Sequence, residues 1–211
     1  MPRKTSTSSA KEFFPEKNSL KAFRQAAAGC KACDLWKLGT QTVFGDGARR
    51  ADVLFVGEQP GNEEDLTGTP FVGPAGRLLN EALEEAGIDR SQTYVTNVVK
   101  HFKWEPRGKR RIHKKPNAGE ISACLPWLEA EIAMVKPKVI VALGATAAQA
   151  LLGPTFRVTK QRGQFIESTF APYIMATIHP SAILRAPDDE TRHLEHRRFV
   201  DDLKKLARVL K

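Results

Sequence analysis

The sequence predicts an α/β fold, a three-layer α/β/α arrangement around a central, mostly parallel sheet of four strands. Two observations carry this expectation. Four short runs rich in Val and Ile, namely ADVLFVG (51–57), TYVTNVV (93–99), KVIVALG (138–144) and YIMATIH (173–179), have the length and β-branched content of strands buried on both faces. Between and after them lie longer segments with apolar residues at helical spacing, so crossover helices join the strands and cover the sheet on both sides.

The elements follow in chain order. Residues 1–17 mix Ser, Thr, Lys, Pro and Phe without periodicity, and read as a tail that is mobile or draped over the domain. The single domain then spans 18–211. Leu20, Phe23 and Ala27 recur at helical spacing behind Asn18 as a candidate cap, and Gly29 ends that helix just before Cys30. AGRLLNEALEEAGI (75–88), EISACLPWLEAEIAMV (120–135) and HLEHRRFVDDLKKLARVL (193–210) supply the remaining amphipathic helices. In such a sheet ligands bind outside the carboxyl ends of the strands. Here those ends read GEQPG (57–61), NVVKH (97–101), LGAT (143–146) and HPSA (179–182), so turns with polar side chains converge on one edge.

Composition limits the function. The 211 residues are 41% hydrophobic and 27% charged, with a mean hydropathy of −0.36, which excludes general disorder and a collagen-like fibre. No apolar run approaches the roughly 18 residues of a membrane span, and no apolar region follows the basic start, so a membrane or secretory role is not expected. The 33 Lys and Arg outnumber the 24 Asp and Glu by 9, a balance that attracts polyanions such as nucleic acid. Three cysteines, an odd count, argue for a reducing compartment, the cytoplasm. Nothing in the pattern requires more than a monomer.

Three constellations carry chemistry. Cys30 and Cys33 are separated by the two residues that let both thiolates face one metal; Cys124 offers a third sulfur, and His101, just past a strand end, a fourth ligand. That donor set suits zinc or an iron-sulfur cluster, and spacing alone does not separate them; a redox pair plus a core cysteine is the plainer reading. HFKWEPRGKRRIHKKP (101–116) sets seven basic residues against Glu105, reading as a flexible phosphate-tracking loop or as a solvated charge run. His113 lies within it, among cations expected to depress its pKa and keep it neutral, hence able to act as nucleophile or base. GEQPGNEEDLTGTPFVGPAG (57–76) is a turn-rich segment carrying Phe71 and several glycines, and a helix is expected to begin near Ala75.

Taken together and in this order, GEQPG, PFVGPAGRLL, TNVVK and HPSA resemble the uracil-DNA glycosylase superfamily, and specifically its iron-sulfur family 4, from about Asn18 to the C-terminus. Family 4 members usually read GEAPG, carry a cysteine at the place of His101 and lack the KRRIH insertion (109–113). These three departures resemble the UdgX branch, whose members become covalently linked to uracil-containing DNA. The resemblance implies a 4Fe-4S cluster held by Cys30, Cys33, Cys124 and His101. It implies that Phe71 stacks on a flipped uracil and Asn97 reads its polar edge, with Gly57, Gly61 and Ser181 shaping the subsite. His179 would donate to the uracil oxygen as charge develops there. His113 would attack C1′, oriented by Glu58, with Gln59 in the pocket wall. Lys109, Arg110, Arg111 and Arg185 would contact phosphates. The expected partner is uracil-containing DNA, with single strands the candidate preferred form, met in the cytoplasm or bacterial nucleoid. Two alternatives stand beside this single-turnover capture: a multiple-turnover hydrolytic family 4 glycosylase, and a non-catalytic nucleic-acid-binding module built on a Cys3His zinc site.

Overall fold

The computed structural model describes residues 8–210. The four expected strands form its centre: β2 (Val53–Gly57), β3 (Thr93–Asn97), β6 (Val139–Leu143) and β8 (Tyr173–Thr177). They pair in parallel in the order β3-β2-β6-β8. Every residue of β2, β3 and β6 is buried, which explains their continuous apolar runs. The sheet has six strands rather than four. β1 (Asp46–Gly47) and β7 (Phe165–Glu167) add antiparallel edges on β3 and β8. Both are too short and too exposed to show as hydrophobic runs, which is also how a sheet protects its edges.

Helices cover both faces. On one, α1 (Leu20–Ala27), α4 (Ala118–Val135) and α5 (Ala145–Leu152) pack a core around Trp127, whose indole meets Phe14, Phe23 and Phe44. On the other, α3 (Pro74–Glu85) and α8 (Asp189–Lys204) bury Leu79, Leu83, Phe199 and Leu203 against Phe55, Val141 and Met175. Two apolar cores separated by one sheet make the three layers. Among the described residues no helix is long and apolar enough to cross a membrane.

Local chemistry sets the helix ends. Ser19, not the expected Asn18, caps α1 by accepting from the Ala22 amide at 3.2 Å. Asn117 and Glu120 form a reciprocal capping box at the start of α4, and Pro74 occupies the first turn of α3, where its missing N–H costs nothing. The expected tail is draped from residue 8 onward: Ser9 caps a short 3-10 turn over 10–13, Ala10 is fully buried, and Phe14 packs on Trp127. Residues 1–7 of that tail lie outside the described residues.

The segment after β2 is not one long loop. It contains α2 (Asn62–Thr67), whose Glu64 reaches forward to accept from the Gly73 amide at 2.7 Å and so folds the segment onto the start of α3. Nor is the basic stretch a flexible loop. β4 (Trp104–Arg107) and β5 (Arg110–His113) pair antiparallel as a hairpin closed by Gly108 at φ +58°. Neither strand buries an alternating face that a hydrophobic pattern could reveal: in Arg110–His113 the two inner residues are partly covered and the His113 side chain is half-exposed.

Candidate functional site

Strand register assembles the site. The last residue pair of β2 and β3 is Gly57 opposite Asn97. A Cβ on Gly57 would collide with the Asn97 Oδ1 and lie 2.9 Å from the Phe71 ring, so glycine is required for these groups to meet. Phe71 itself is buried at φ +58°, a region that a bulky residue occupies only when its surroundings force it. Gly76 leaves room for this conformation, since any Cβ there would overlap the Phe71 carbonyl. The Phe71 ring lies nearly parallel to the His179 ring, with centroids 6.3 Å apart.

His179 follows β8 and caps α7 (Pro180–Leu184). Its Nδ1 accepts from the Ser181 amide at 3.1 Å, with the Ser181 hydroxyl 2.8 Å away. Because Nδ1 is an acceptor in this arrangement, the neutral ring carries its proton on Nε2. Burial, assisted by the Arg185 and His113 charges, pushes its pKa down to about 4, so the ring is a neutral N–H donor at pH 7. Ser181 thus acts on the tautomer of His179.

Glu58 links two walls. One carboxylate oxygen accepts from the Thr146 hydroxyl at the start of α5, and the other lies 3.4 Å from His113 Nε2 at the end of β5. The His113 pKa is lowered, as expected, but for a different reason. Burial is the main cause and Arg185 adds to it, while Glu58 opposes them; the hairpin's own cations do not figure. Of those cations, Arg107, Lys109 and Arg110 project into solvent, where water screens them, and Arg111 is paired with Asp65.

Gln59, buried just after β2, bonds to the hairpin. Its side-chain amide donates to the carbonyls of Lys103 (3.2 Å) and Lys114 (3.0 Å) and accepts from the Lys103 amide (3.2 Å). It therefore clamps both ends of the hairpin that carries His113. Arg111 is not a free phosphate contact: it is held inside the protein by Asp65 at 2.6 Å and Asn62 at 2.8 Å. Lys109, Arg110 and Arg185 are exposed, as a phosphate-binding role needs. Gly61 precedes α2, where a Cβ would stand 2.5 Å from the Glu64 carboxylate; it makes room for that brace.

A buried ion pair supports Asn97 from behind. Lys100 Nζ donates to the Asn97 carbonyl at 2.7 Å, to the Thr96 hydroxyl at 2.6 Å and to Glu131 at 2.5 Å. Glu131 also accepts from Tyr94, Thr96 and the Gly45 amide. Satisfied partners on every side make such a pair tolerable away from water.

The sulfur donors gather on the α4 side of the sheet. Cys30, Cys33 and Cys124 are free thiols near enough that the charges of Cys33 and Cys30 help raise the pKa of Cys124 to about 12, burial being the main cause. Cys124 Sγ accepts from the Lys100 amide at 3.2 Å and Cys30 Sγ from the Trp127 indole at 3.3 Å, the kind of N–H···S contact that stabilises thiolate ligands. The Thr42 hydroxyl donates to the Ala27 carbonyl, so it accepts from His101 Nε2 at 3.2 Å. That leaves the His101 Nδ1 lone pair free to bind a metal. Among the described residues, no three His, Cys, Asp or Glu side chains close on a single ion position. The three thiols, the N–H donors to two of them and an imidazole with a free lone pair are donors that suit zinc or an iron-sulfur group alike.

The uracil DNA glycosylase superfamily model matches residues 44–204, which contain both the strand-end pocket and the hairpin. The chain belongs to this superfamily. It is similar to the type-4 uracil-DNA glycosylase of Thermotoga maritima, 40% identical over 183 residues that cover 86% of this chain and 90% of the relative. The type-4 enzyme of Sulfurisphaera tokodaii is 37% identical, covering 81% and 78%. The type-5 uracil-DNA glycosylase of Thermus thermophilus is more distant, at 27% identity over 222 residues. Sequence reasoning missed Thr146, Asn62, Asp65 and Thr42, which hold the superfamily pocket, the hairpin and His101 in place. Thr146, within the LGAT strand end, and Asn62 and Asp65, within the 57–76 segment, carried a positional signal; Thr42 carried none.

Proposed function

We propose that this protein excises uracil from DNA and is then captured on the resulting sugar through His113. The activity itself rests on the pocket of Gly57, Phe71, Asn97 and His179 together with the type-4 relatives. Phe71 would stack on the flipped base and Asn97 would read its Watson–Crick edge, as extraction of a base into a pocket requires. As the bond from C1′ to N1 breaks, its electron pair leaves with uracil and negative charge spreads to the uracil O2. The neutral Nε2–H of His179 stabilises that charge, and the departing base later takes a proton from solvent.

Positive charge meanwhile develops at C1′, where the Glu58 carboxylate is the nearest anionic group to His113. A neutral imidazole nitrogen donates its lone pair to C1′, forming a C–N bond, and the resulting imidazolium releases its other proton. The observation that carries this reading is the placement of His113: within 3.4 Å of Glu58, on a hairpin that Gln59 clamps at both ends. A histidine on a mobile loop would not hold an attacking geometry. Cys30, Cys33, Cys124 and His101 would hold the cluster; when bound, it would tie the loop after α1, the end of β3 and α4 together.

The hydrolytic alternative uses the same pocket and differs only in what meets C1′. Replacing His113 with Ser separates the two. With water admitted, the variant should release many uracils per protein while the parent releases about one. A parent that turns over many times, with the variant unchanged, would make His113 a bystander.

A further inference from the structure

We propose that Trp36, flanked by Lys31 and Lys37, is a stacking platform for one unpaired base of single-stranded DNA, outside the uracil pocket. This rests on the reading of the protein as a uracil-DNA glycosylase and names the form of its substrate. Trp36 stands on a short 3-10 turn, Asp34–Lys37, directly after Cys33. The core anchor of that turn is Leu35, only 1% exposed, whereas Trp36 is 38% exposed. A large aromatic left open next to a fully buried neighbour is not needed to hold the turn in place.

Two lysines lie over the ring, and a base stacking on it would displace them toward its flanking phosphates. Lys31 Nζ lies 4.9 Å from the ring centroid and Lys37 Nζ 5.8 Å, with Lys37 also paired to Asp34 at 2.6 Å. The patch is continuous with the hairpin: the Leu38 carbonyl accepts from the Trp104 indole at 2.8 Å, and the Arg111 guanidinium lies over the Trp104 ring at 5.5 Å. Leu38 is itself exposed, so an apolar and aromatic strip runs from the turn toward the basic tip at Arg107, Lys109 and Arg110. Alternating aromatic faces and cations are what a protein needs to follow a single strand, since each base offers a π-face and each step a phosphate. A duplex hides its bases in the stack and presents only phosphates to such a surface.

The test uses the full chain and labelled, uracil-free oligothymidylates of about five and about twenty nucleotides. Binding is read by fluorescence anisotropy at low salt. Trp36→Ala should weaken binding of the long strand about ten-fold and of the short one by less than about two-fold, while Trp36→Phe keeps most of the affinity. Lys31→Ala should lower affinity for the long strand and reduce the dependence of log Kd on log salt by about 0.7. This variant keeps the idea testable should Trp36→Ala fail to fold. Equal binding of the long strand by parent, Trp36→Ala and Lys31→Ala would overturn the platform, as would an equal loss on a duplex of the same length. Uracil release by the parent from a short uracil-containing strand is measured alongside. Its absence would sink the glycosylase reading while the anisotropy result still decides the fate of Trp36.

Discussion

His113 and His179 occupy the same pocket and are both neutral at pH 7, yet their proposed work is opposite. His179 has its acceptor nitrogen taken by Ser181 and is left a donor; His113 faces Glu58 and is left a nucleophile. Both roles were expected from the sequence and its resemblance, but not the tautomers that allow them. HPSA and KRRIH place a histidine at a strand end and in a basic segment, but a tautomer depends on which nitrogen a neighbour engages, and that is decided in three dimensions. The pH dependence follows with a definite sign. The attacking form of His113 is neutral, and its pKa lies below the ordinary 6.5 through burial and Arg185. Capture should be retained at neutral and alkaline pH and fall in acidic solution, at a lower pH than an ordinary histidine would give. Replacing Arg185 with Ala removes a positive charge, eases protonation of His113 and should move that acid limb to higher pH. A limb that stays in place would show that Arg185 does not reach the ring, and a rate that rises in acid would exclude a neutral nucleophile.

At the scale of elements, the crossover helices and the four parallel strands were legible because their apolar periodicities are strong, whereas the hairpin was not. β4 and β5 form a sheet of their own, and polar contacts tie it to the body: Gln59, more than forty residues away in sequence, at both ends, Arg111 to Asp65 and Asn62, and the Trp104 indole to Leu38. Gln59→Ala should leave the fold intact and release the hairpin. Adduct formation should slow by about ten- to a hundred-fold, because a displacement of about 1 Å in the attacking group has that effect. Single-turnover kinetics of uracil release and of adduct formation, measured separately, check this: capture should suffer more than excision. An equal loss in both would mean that Gln59 acts on the pocket itself.

For the whole molecule, the sheet is the beam on which two chemistries hang. Its carboxyl edge presents Gly57, Asn97 and His179, and the same edge continues through Lys100 to His101 and, by a backbone amide, to Cys124. The motifs TNVVK and GEQPG mark strand ends by their residues alone, so most of the pocket was legible in the sequence. The Lys100–Glu131 pair was not, because a lysine after a strand reads as a surface residue until burial shows otherwise. Lys100→Met leaves Glu131 buried without its cation and should cost about 3–5 kcal/mol, seen as a lower urea midpoint with an unchanged m value. Removing both partners together, as Lys100→Met with Glu131→Leu, should cost less than the single change. A single variant as stable as the parent would mean that the pair does not carry the strand end.

Covalent capture is the central claim, and a boiled denaturing gel addresses it most directly. The purified protein is incubated with a labelled single-stranded oligonucleotide carrying one uracil, with a thymine oligonucleotide as control. A slow band that survives boiling with uracil and is absent with thymine is the expected result. Abasic DNA released without that band would contradict capture and leave the protein a hydrolytic uracil-DNA glycosylase.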